Sequence, residues 1–437
     1  MLDQHAQGAS NAPRRRLWLE IALSTALFVS TATVPAMAQE AFTVIGHAVH
    51  QSAVTGEAGG NIGANFEAEN GVQLRWLTYG VGPVHEQLFR EASLSAGSVD
   101  AAFLLNRFAN ENVANLFEPL DAYLEADPIE DFEGISPGML EAMTYDGQIY
   151  GIPFRHATHG LLYNTALLAE RGLDSPPETF EELIEYAEQL TFTRDDGTQV
   201  YGLVLSGQGP SNIIDIVRAY GGDFLTADFE LKAAEEGMVQ AVTLLADLYQ
   251  RGILPRESVS FTTEDATTFM QQGRAAMAID PFSRYAALND PERSNFPGQI
   301  EATAVPLTAS LTEDGTVVPV KTEIWSLVIP RNAPNKELSW KFIKHLSTLD
   351  AAISGAVNGN GPTRSAAYQD PQVQAAIPYW EAEAAAVAVA RVPLPGFSES
   401  ARVDDIVKEE VQAVMLGSKT PEQAMQDVVA RVTPLLP

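Results

Sequence analysis

Short apolar runs alternate with longer segments of helical spacing along most of the chain. The runs that predict strands are 42–45, 72–77, 99–105, 161–163, 201–205, 275–279 and 302–305. The segments whose apolar residues recur every three to four positions, and which predict helices, are 84–94, 112–124, 232–250, 337–348 and 403–415. This alternation indicates an α/β protein.

One further helix start is marked by its own residue chemistry. Thr179-Phe180-Glu181-Glu182 fits a capping box, in which the threonine and the second glutamate satisfy each other's free main-chain N–H groups. Pro176-Pro177 precedes it and favours an extended entry. The sequence therefore predicts a helix that begins after Thr179.

The first 38 residues have the pattern of a secretory signal peptide. Arg14-Arg15-Arg16 precede an apolar stretch at 21–29, and Ala36-Met37-Ala38 then offers a small-residue cleavage site. We expect residues 1–38 to be removed and the mature chain to start at Gln39. A buried N-terminal helix is the alternative interpretation, and the pattern leaves open whether export uses the general or the twin-arginine route.

Composition narrows the class of protein. The 437 residues include no cysteine, which excludes disulfides, thiolate metal sites and a lipid-anchoring cysteine. No later apolar run reaches the length of a membrane-spanning helix. The formal charge of −30 disfavours nucleic acid and anionic membranes as partners. We expect an exported, periplasmic protein without a lipid anchor.

Six short blocks stand out between positions 150 and 364. In chain order they are Tyr150-Gly151-Ile152-Pro153, Leu162-Tyr163-Asn164, Gly172-Leu173 with Pro176-Pro177-Glu178-Thr179-Phe180, Gly273-Arg274-Ala275-Ala276-Met277, Asn335-Lys336-Glu337 with Trp340-Lys341-Phe342, and Gly361-Pro362-Thr363-Arg364. In this order the blocks resemble the family-1 extracellular solute-binding proteins of ABC importers, the group that includes the maltose-binding type.

The resemblance implies a two-lobed periplasmic-binding-protein fold of the maltose-binding type, α/β in class, with crossover hinge segments. The N-lobe would comprise 39–155 plus 326–361, and the C-lobe 160–320 plus 366–437. The hinges would lie near 155–159, 321–325 and 362–365.

The same resemblance implies a binding protein without catalysis and without a cofactor. It would capture a sugar or related polyhydroxylated solute in the inter-lobe cleft and deliver it to the permease subunits of an ABC transporter. We expect a monomer.

Ligands of open α/β sheets bind beyond the carboxyl ends of the strands, so the residues at predicted strand ends and crossovers are the site candidates. Phe282 is included because sugar binders of this family commonly carry a stacking aromatic at that place. The candidate ligand-binding residues are His47, His50, Gln51, Asn106, Arg107, Arg155, His156, His159, Ser211, Asp280, Phe282, Arg284, Trp325 and Arg364.

Two features of this set leave the ligand class open. Four arginines are predicted near the cleft, and a guanidinium suits a carboxylate or phosphate, so a sugar acid or sugar phosphate is the alternative to a neutral sugar. The arginines could instead pair with nearby acids. The spacing His-x-x-His occurs at 47–50 and again at 156–159, but a metal site is disfavoured because the arginines would repel a cation.

Enzyme motifs are incomplete. His85-Glu86-Gln87-Leu88-Phe89 begins like a zinc-protease motif, but phenylalanine stands where the second histidine is needed. The sequence contains no G-x-S-x-G nucleophile elbow and no phosphate-binding P-loop motif. A secreted hydrolase that uses a pair of carboxylates needs no short motif and remains the alternative of another class.

Overall fold

The computed structural model describes residues 40–207, 209–226 and 228–437, and for residues 210 and 211 it describes the main chain alone. The predicted signal peptide, 1–38, lies outside the described residues. The strands of the described part are β1 (Glu40–Gly46), β2 (Val72–Thr78), β3 (Ala101–Leu105), β4 (Thr144–Tyr145), β5 (Gln148–Ile149), β6 (Ile152–His156), β7 (His159–Asn164), β8 (Phe192–Thr193), β9 (Gln199–Leu205), β10 (Ala275–Pro281), β11 (Ile300–Thr303) and β12 (Ile324–Val328).

Helices fill most of the sequence between these strands. The α-helices of the described part are α1 (Ala48–Thr55), α2 (Ile62–Asn70), α3 (Val81–Ala92), α4 (Glu111–Ala114), α5 (Asp121–Ala126), α6 (Pro137–Glu141), α7 (Thr165–Glu170), α8 (Phe180–Gln189), α9 (Pro210–Ala219), α10 (Glu236–Gln250), α11 (Thr263–Gln271), α12 (Tyr285–Leu288), α13 (Ala309–Glu313), α14 (Lys336–Leu346), α15 (Leu349–Val357), α16 (Pro371–Ala376), α17 (Trp380–Ala388), α18 (Ser400–Met415) and α19 (Pro421–Val432). None of the helices in these described ranges is long and apolar enough to cross a membrane.

The predicted capping box at Thr179 is confirmed. The Thr179 hydroxyl accepts a hydrogen bond from the main-chain N–H of Glu182, and the Glu182 carboxylate accepts one from the main-chain N–H of Thr179. These two bonds satisfy N–H groups at the start of α8 that have no partner within the helix.

The prediction of one helix over 112–124 is wrong. The segment contains two short helices, α4 and α5, separated by residues 115–120. Pro119 lies in this gap. A proline disfavours helical geometry at the residue before it and lacks a main-chain N–H, so the apolar spacing on either side cannot form one continuous helix.

The first sheet has the strand order β2-β1-β3-β12-β6. Strand β1 runs parallel to β2 and β3, whereas β12 runs antiparallel to β3 and β6. All five residues of β3 are buried, as expected for an apolar strand covered on both faces. Because β12 is antiparallel, it starts at the edge of the sheet where β3 and β6 end.

The second sheet has the strand order β11-β7-β10-β9-β8. Strand β10 runs parallel to β9 and antiparallel to β7, with Pro281 opposite His159. Strand β7 therefore starts at the edge where β9 and β10 end. A separate two-stranded ribbon joins β4 and β5.

The chain passes repeatedly between the two sheets. It leaves the first sheet after β6, enters the second at β7, and returns to the first between β11 and β12. Each sheet contributes residues to a large apolar cluster, and the C-terminal helices α18 and α19 pack into the cluster of the second one. The two-lobed α/β fold is thus confirmed.

Candidate functional site

The two lobes enclose a pocket of about 410 Å³ at the carboxyl ends of the strands. Its walls come from both sheets, because the ends of β3 and β6 lie on one side and the ends of β9 and β10 on the other. Half of the predicted site residues line it, and these are His47, Arg107, Arg155, His159, Asp280, Arg284 and Trp325.

Trp325 lies near the start of β12, between the carboxyl ends of β3 and β6. It pairs in register with Leu105 of β3 on one side and with Arg155 of β6 on the other. Its ring meets His50 edge-on, with centroids 4.6 Å apart. This packing holds the indole in the apolar cluster of the first sheet, and only 4% of Trp325 is exposed at the pocket wall.

The crossover that leads into β12 separates two cavities. Lys321, Glu323 and Trp325 line the pocket, whereas Thr322 and Ile324 line a second cavity of about 460 Å³. Alternate residues of an extended chain point to opposite sides, which explains this division. Lys321 and Glu323 were missed as candidates, although their spacing of four and two residues from Trp325, an even number in an extended chain, was a usable signal.

Two of the three arginines that line the pocket form ion pairs. Arg107 Nη1 lies 3.1 Å from Glu323 Oε1, and Arg284 Nη2 lies 3.4 Å from Glu264 Oε1. Burial acts to raise the pKa of Glu323, but the charges of Arg107, Lys321 and neighbouring histidines together outweigh it, so the pKa is lowered and the carboxylate is ionised.

Arg155 has a different environment. Its Nη2 donates to the Ser283 hydroxyl over 2.7 Å, and its Nε is buried without a hydrogen-bond partner among the described residues. Burial lowers the pKa of the Arg155 guanidinium to about 10, and the charge of Arg284 acts in the same direction. The side chain is still charged at neutral pH.

His159 is held by Asp215 of α9. His159 Nδ1 lies 2.7 Å from Asp215 Oδ2, and the other oxygen of Asp215 accepts the main-chain N–H of Lys321 over 2.9 Å. Burial acts to raise the pKa of Asp215, but His159 and Lys321 outweigh it and hold the pKa below its ordinary value. The ionised carboxylate thereby links the two crossover segments.

Asp280 of β10 lines the pocket on the side of the second sheet. It accepts a hydrogen bond from the Ser206 hydroxyl over 3.3 Å. Burial raises the pKa of this carboxyl, and the positive charge of Arg284 only partly opposes the shift.

Other lining residues were not predicted. They include polar side chains after β9, at the start of α11 and on α18, namely Ser206, Asn212, Thr262, Thr263, Glu264, Asp404 and Lys408. The spacing of Asp404 and Lys408, four residues apart on one helix, puts both on the same face. Nothing in the sequence indicated that this face of α18 meets the strand ends.

Among the histidines, His50 and His156 lie behind the pocket wall. His50 is buried, stacks on Phe103 with centroids 4.2 Å apart, and accepts the main-chain N–H of His47 at Nδ1. His156 Nδ1 accepts the main-chain N–H of Thr158 over 3.3 Å, so that nitrogen carries no proton.

His156 also contacts the C-terminal part of the chain. Its Nε2 lies 2.9 Å from the Tyr368 hydroxyl. Burial lowers the pKa of His156 to about 3 and leaves the ring neutral. In the described part of the chain no group of three or more His, Asp or Glu side chains is placed to hold a metal ion.

Phe282 and Arg364 do not line the pocket. Phe282 is fully buried and stacks on Tyr379, with centroids 5.3 Å apart and rings 9° from parallel. Arg364 is 1% exposed and donates to the main-chain carbonyls of Ser347, Asp131 and Glu130. Both side chains therefore serve packing between segments of the fold.

Asn106 and Gln51 also lie away from the pocket lining. Asn106 is buried, accepts the main-chain N–H of Ile324 over 2.9 Å and lines the second cavity. Gln51 lies on α1 outside the pocket lining. The side chain of Ser211 lies outside the described residues.

Comparison with known proteins agrees with this architecture. Residues 51–353 match the family model described as bacterial extracellular solute-binding protein. A maltotriose-binding protein of Pyrococcus abyssi is 25% identical over 275 residues, which cover 60% of this chain and 53% of that protein.

Two solved structures share the fold. A solute-binding protein of an ABC transporter from Thermotoga lettingae, bound with α-D-tagatose, superposes with a TM-score of 0.77 at 24% identity, covering 91% of this chain and all of that one. One from Agrobacterium radiobacter, in complex with ribitol, gives 0.74 at 21% identity, covering 91% and 98%. The family match extends over more than half of the sequence, and the chain belongs to the bacterial extracellular solute-binding proteins.

Proposed function

We propose that this protein is the substrate-binding component of an ABC importer and that it captures a sugar or polyol in the pocket between its lobes. The observation that carries the proposal is that strand ends of both sheets, with Trp325 among them, line one pocket. Its volume of about 410 Å³ suits a small solute. The solutes bound by the Thermotoga and Agrobacterium proteins support the ligand class.

The chemistry of the lining also supports a polyhydroxylated ligand. Charged and amide side chains from both lobes offer donors and acceptors to hydroxyl groups, while the exposed part of Trp325 adds an apolar contact for the C–H groups of a sugar ring. Contacts made with both lobes at once favour the closed form.

Hinge bending is part of the proposal. The lobes comprise 39–155 plus 326–361 and 160–320 plus 366–437, and they rotate about segments near 155–159, 321–325 and 362–365. The two passages of the chain between the sheets, after β6 and before β12, support the first two hinges.

The family is extracellular by description, which supports export. We place the mature protein in the periplasm, delivered there by a signal peptide at 1–38 and free of a lipid anchor. The closed, loaded monomer docks on the permease subunits of the importer and performs no catalysis.

A titration of the purified mature chain with neutral sugars, polyols and their acidic derivatives tests the proposal. We expect one saturable site, a raised melting temperature and no turnover of the ligand. Hydrolysis of glycosides by the pure protein would contradict the binding role and favour the secreted hydrolase.

A matched pair of tryptophan variants locates the site. Trp325 lines the pocket, whereas Trp340 of α14 is buried elsewhere and donates to the Asp127 carbonyl. Both Trp325→Leu and Trp340→Leu should lower the melting temperature. Only Trp325→Leu should weaken ligand binding, by about tenfold. Equal affinity of the two variants would place the ligand elsewhere.

A further inference from the structure

Arg155 is a buried cation that faces the pocket without an acidic partner. The residue is 7% exposed and lines the pocket from the end of β6. Among the described residues no carboxylate oxygen lies within 4 Å of its guanidinium, and its Nε has no hydrogen-bond partner. The one hydrogen bond that its side chain makes to a described residue is to the neutral hydroxyl of Ser283.

The other arginines of the predicted site each have a carboxylate partner within the protein, although Arg107 Nε, like Arg155 Nε, is buried without a hydrogen-bond partner among the described residues. Arg107 has Glu323 as its partner, and Arg364 has three main-chain carbonyls and the carboxylate of Asp131. A charged group that is removed from water without a partner costs several kcal/mol in effect, and proteins rarely keep one without use.

The nearest acids do not neutralise Arg155. Glu323 is already in contact with Arg107. Burial raises the pKa of Glu383 to about 8, so this carboxyl is largely protonated at neutral pH. The lining as a whole has five Arg and Lys side chains and four Asp and Glu side chains, in a chain whose formal charge is −30. The lining therefore has a small excess of basic side chains, whereas the chain as a whole is strongly acidic.

We infer that the ligand carries an oxyanion, a carboxylate or a phosphate, and that Arg155 binds it. This inference rests on the proposed function and narrows it, because the solute becomes an acidic sugar or polyol derivative. Apart from the bond from Nη2 to Ser283, the guanidinium makes no hydrogen bond to a described residue, and an oxyanion can accept two parallel N–H groups of a guanidinium. The negative charge of the ligand would also neutralise Arg155, which has no carboxylate partner among the described residues.

Matched ligands test the inference on the wild-type protein. We would titrate D-galactose, D-galacturonate and galactose 1-phosphate, and then D-glucitol, D-gluconate and glucitol 6-phosphate, by calorimetry at low salt. In at least one set the acidic member should bind about 100-fold more tightly than the neutral one. The carboxylate and phosphate members separate the two sources of negative charge.

Variants then assign the effect to Arg155. Arg155→Gln should lose the 100-fold preference for the acid, whereas Arg155→Lys should keep part of it because the charge remains. Arg218→Gln is the matched control, since Arg218 is buried outside the pocket lining and the proposed hinges and donates to the carbonyls of Arg391 and Val392, and it should keep the wild-type affinity.

The outcomes separate this inference from the proposed function. Binding of the neutral members as tightly as the acidic ones, or an unchanged preference in Arg155→Gln, would overturn the inference alone. If no member of either set bound, both the inference and the proposed ligand class would be overturned. The wild-type comparison holds even if Arg155→Gln does not fold.

Discussion

Arg155 Nη2 donates a hydrogen bond of 2.7 Å to Ser283 Oγ, and this bond joins the two lobes beside the pocket. Arg155 lies in β6 of the first sheet, and Ser283 lies in the turn Phe282–Arg284 that follows β10 of the second. A bond between the two sheets at this place must break if the lobes separate.

Ser283→Ala should weaken ligand binding about tenfold, because a hydrogen bond to a charged donor contributes about 1.5–3 kcal/mol to the closed form. Stopped-flow dissociation and calorimetry would measure the change, which we expect chiefly in a faster release of ligand. Ser294→Ala is the control, since Ser294 is buried in the same lobe and does not line the pocket. Equal release rates for wild type and Ser283→Ala would contradict the role of this bond.

Arg364→Gln should destabilise the fold. Arg364 Nε, Nη1 and Nη2 donate to the carbonyls of Ser347, Asp131 and Glu130 at 2.8, 2.6 and 2.9 Å. Loss of the guanidinium leaves these carbonyls unsatisfied, and we expect the free energy of unfolding to fall by about 3 kcal/mol.

Chemical denaturation would measure this loss. Arg293→Gln serves as the control because Arg293 is exposed, and it should unfold like the wild type. A wild-type unfolding free energy for Arg364→Gln would show that the buried bonds of Arg364 contribute little.

Glu383 should make the free energy of unfolding decrease as the pH rises, which is opposite to the usual effect of a carboxylate in an ion pair. Burial raises the pKa of this carboxyl from 4.5 to about 8, while the Tyr368 hydroxyl and the charge of Arg155 oppose the shift. Between pH 4.5 and 8 the folded protein binds a proton that the unfolded chain has released, so the stability contributed by this site falls as the pH rises.

Glu383→Gln keeps the shape of the side chain and removes its titration. Its free energy of unfolding relative to wild type should therefore increase from pH 5 to pH 8, by on the order of a few kcal/mol. Glu381→Gln, an exposed position on the same helix, is the control and should show no such trend. A constant difference between Glu383→Gln and wild type across this range would contradict the assignment.

Much of the fold was predictable from residue pattern, since apolar runs and helical spacing located most strands and the long helices. Pro119 could have indicated the break between α4 and α5, but the prediction followed the apolar spacing, which continues on both sides of the proline. Positions on crossovers gave the best site candidates, because Arg155, His159 and Trp325 line the pocket.

Residue type alone could not separate arginines that face the pocket from arginines that hold the fold. Arg155 and Arg364 both lie in predicted crossover segments, yet only Arg155 lines the pocket. The difference depends on which main-chain carbonyls lie within reach in the folded chain, and those of Asp131 and Glu130 are more than 230 residues away in sequence. The contact between α18 and the pocket likewise depends on the tertiary fold, because it joins segments that are far apart in sequence.

A crystal structure of the protein with the tightest ligand of the titration tests the central claim most directly. The account predicts one solute molecule between the lobes, in contact with Trp325 of the first sheet and with residues that follow β10 of the second, and with its acidic group on Arg155. A solute bound on one lobe alone, or outside this pocket, would contradict the account.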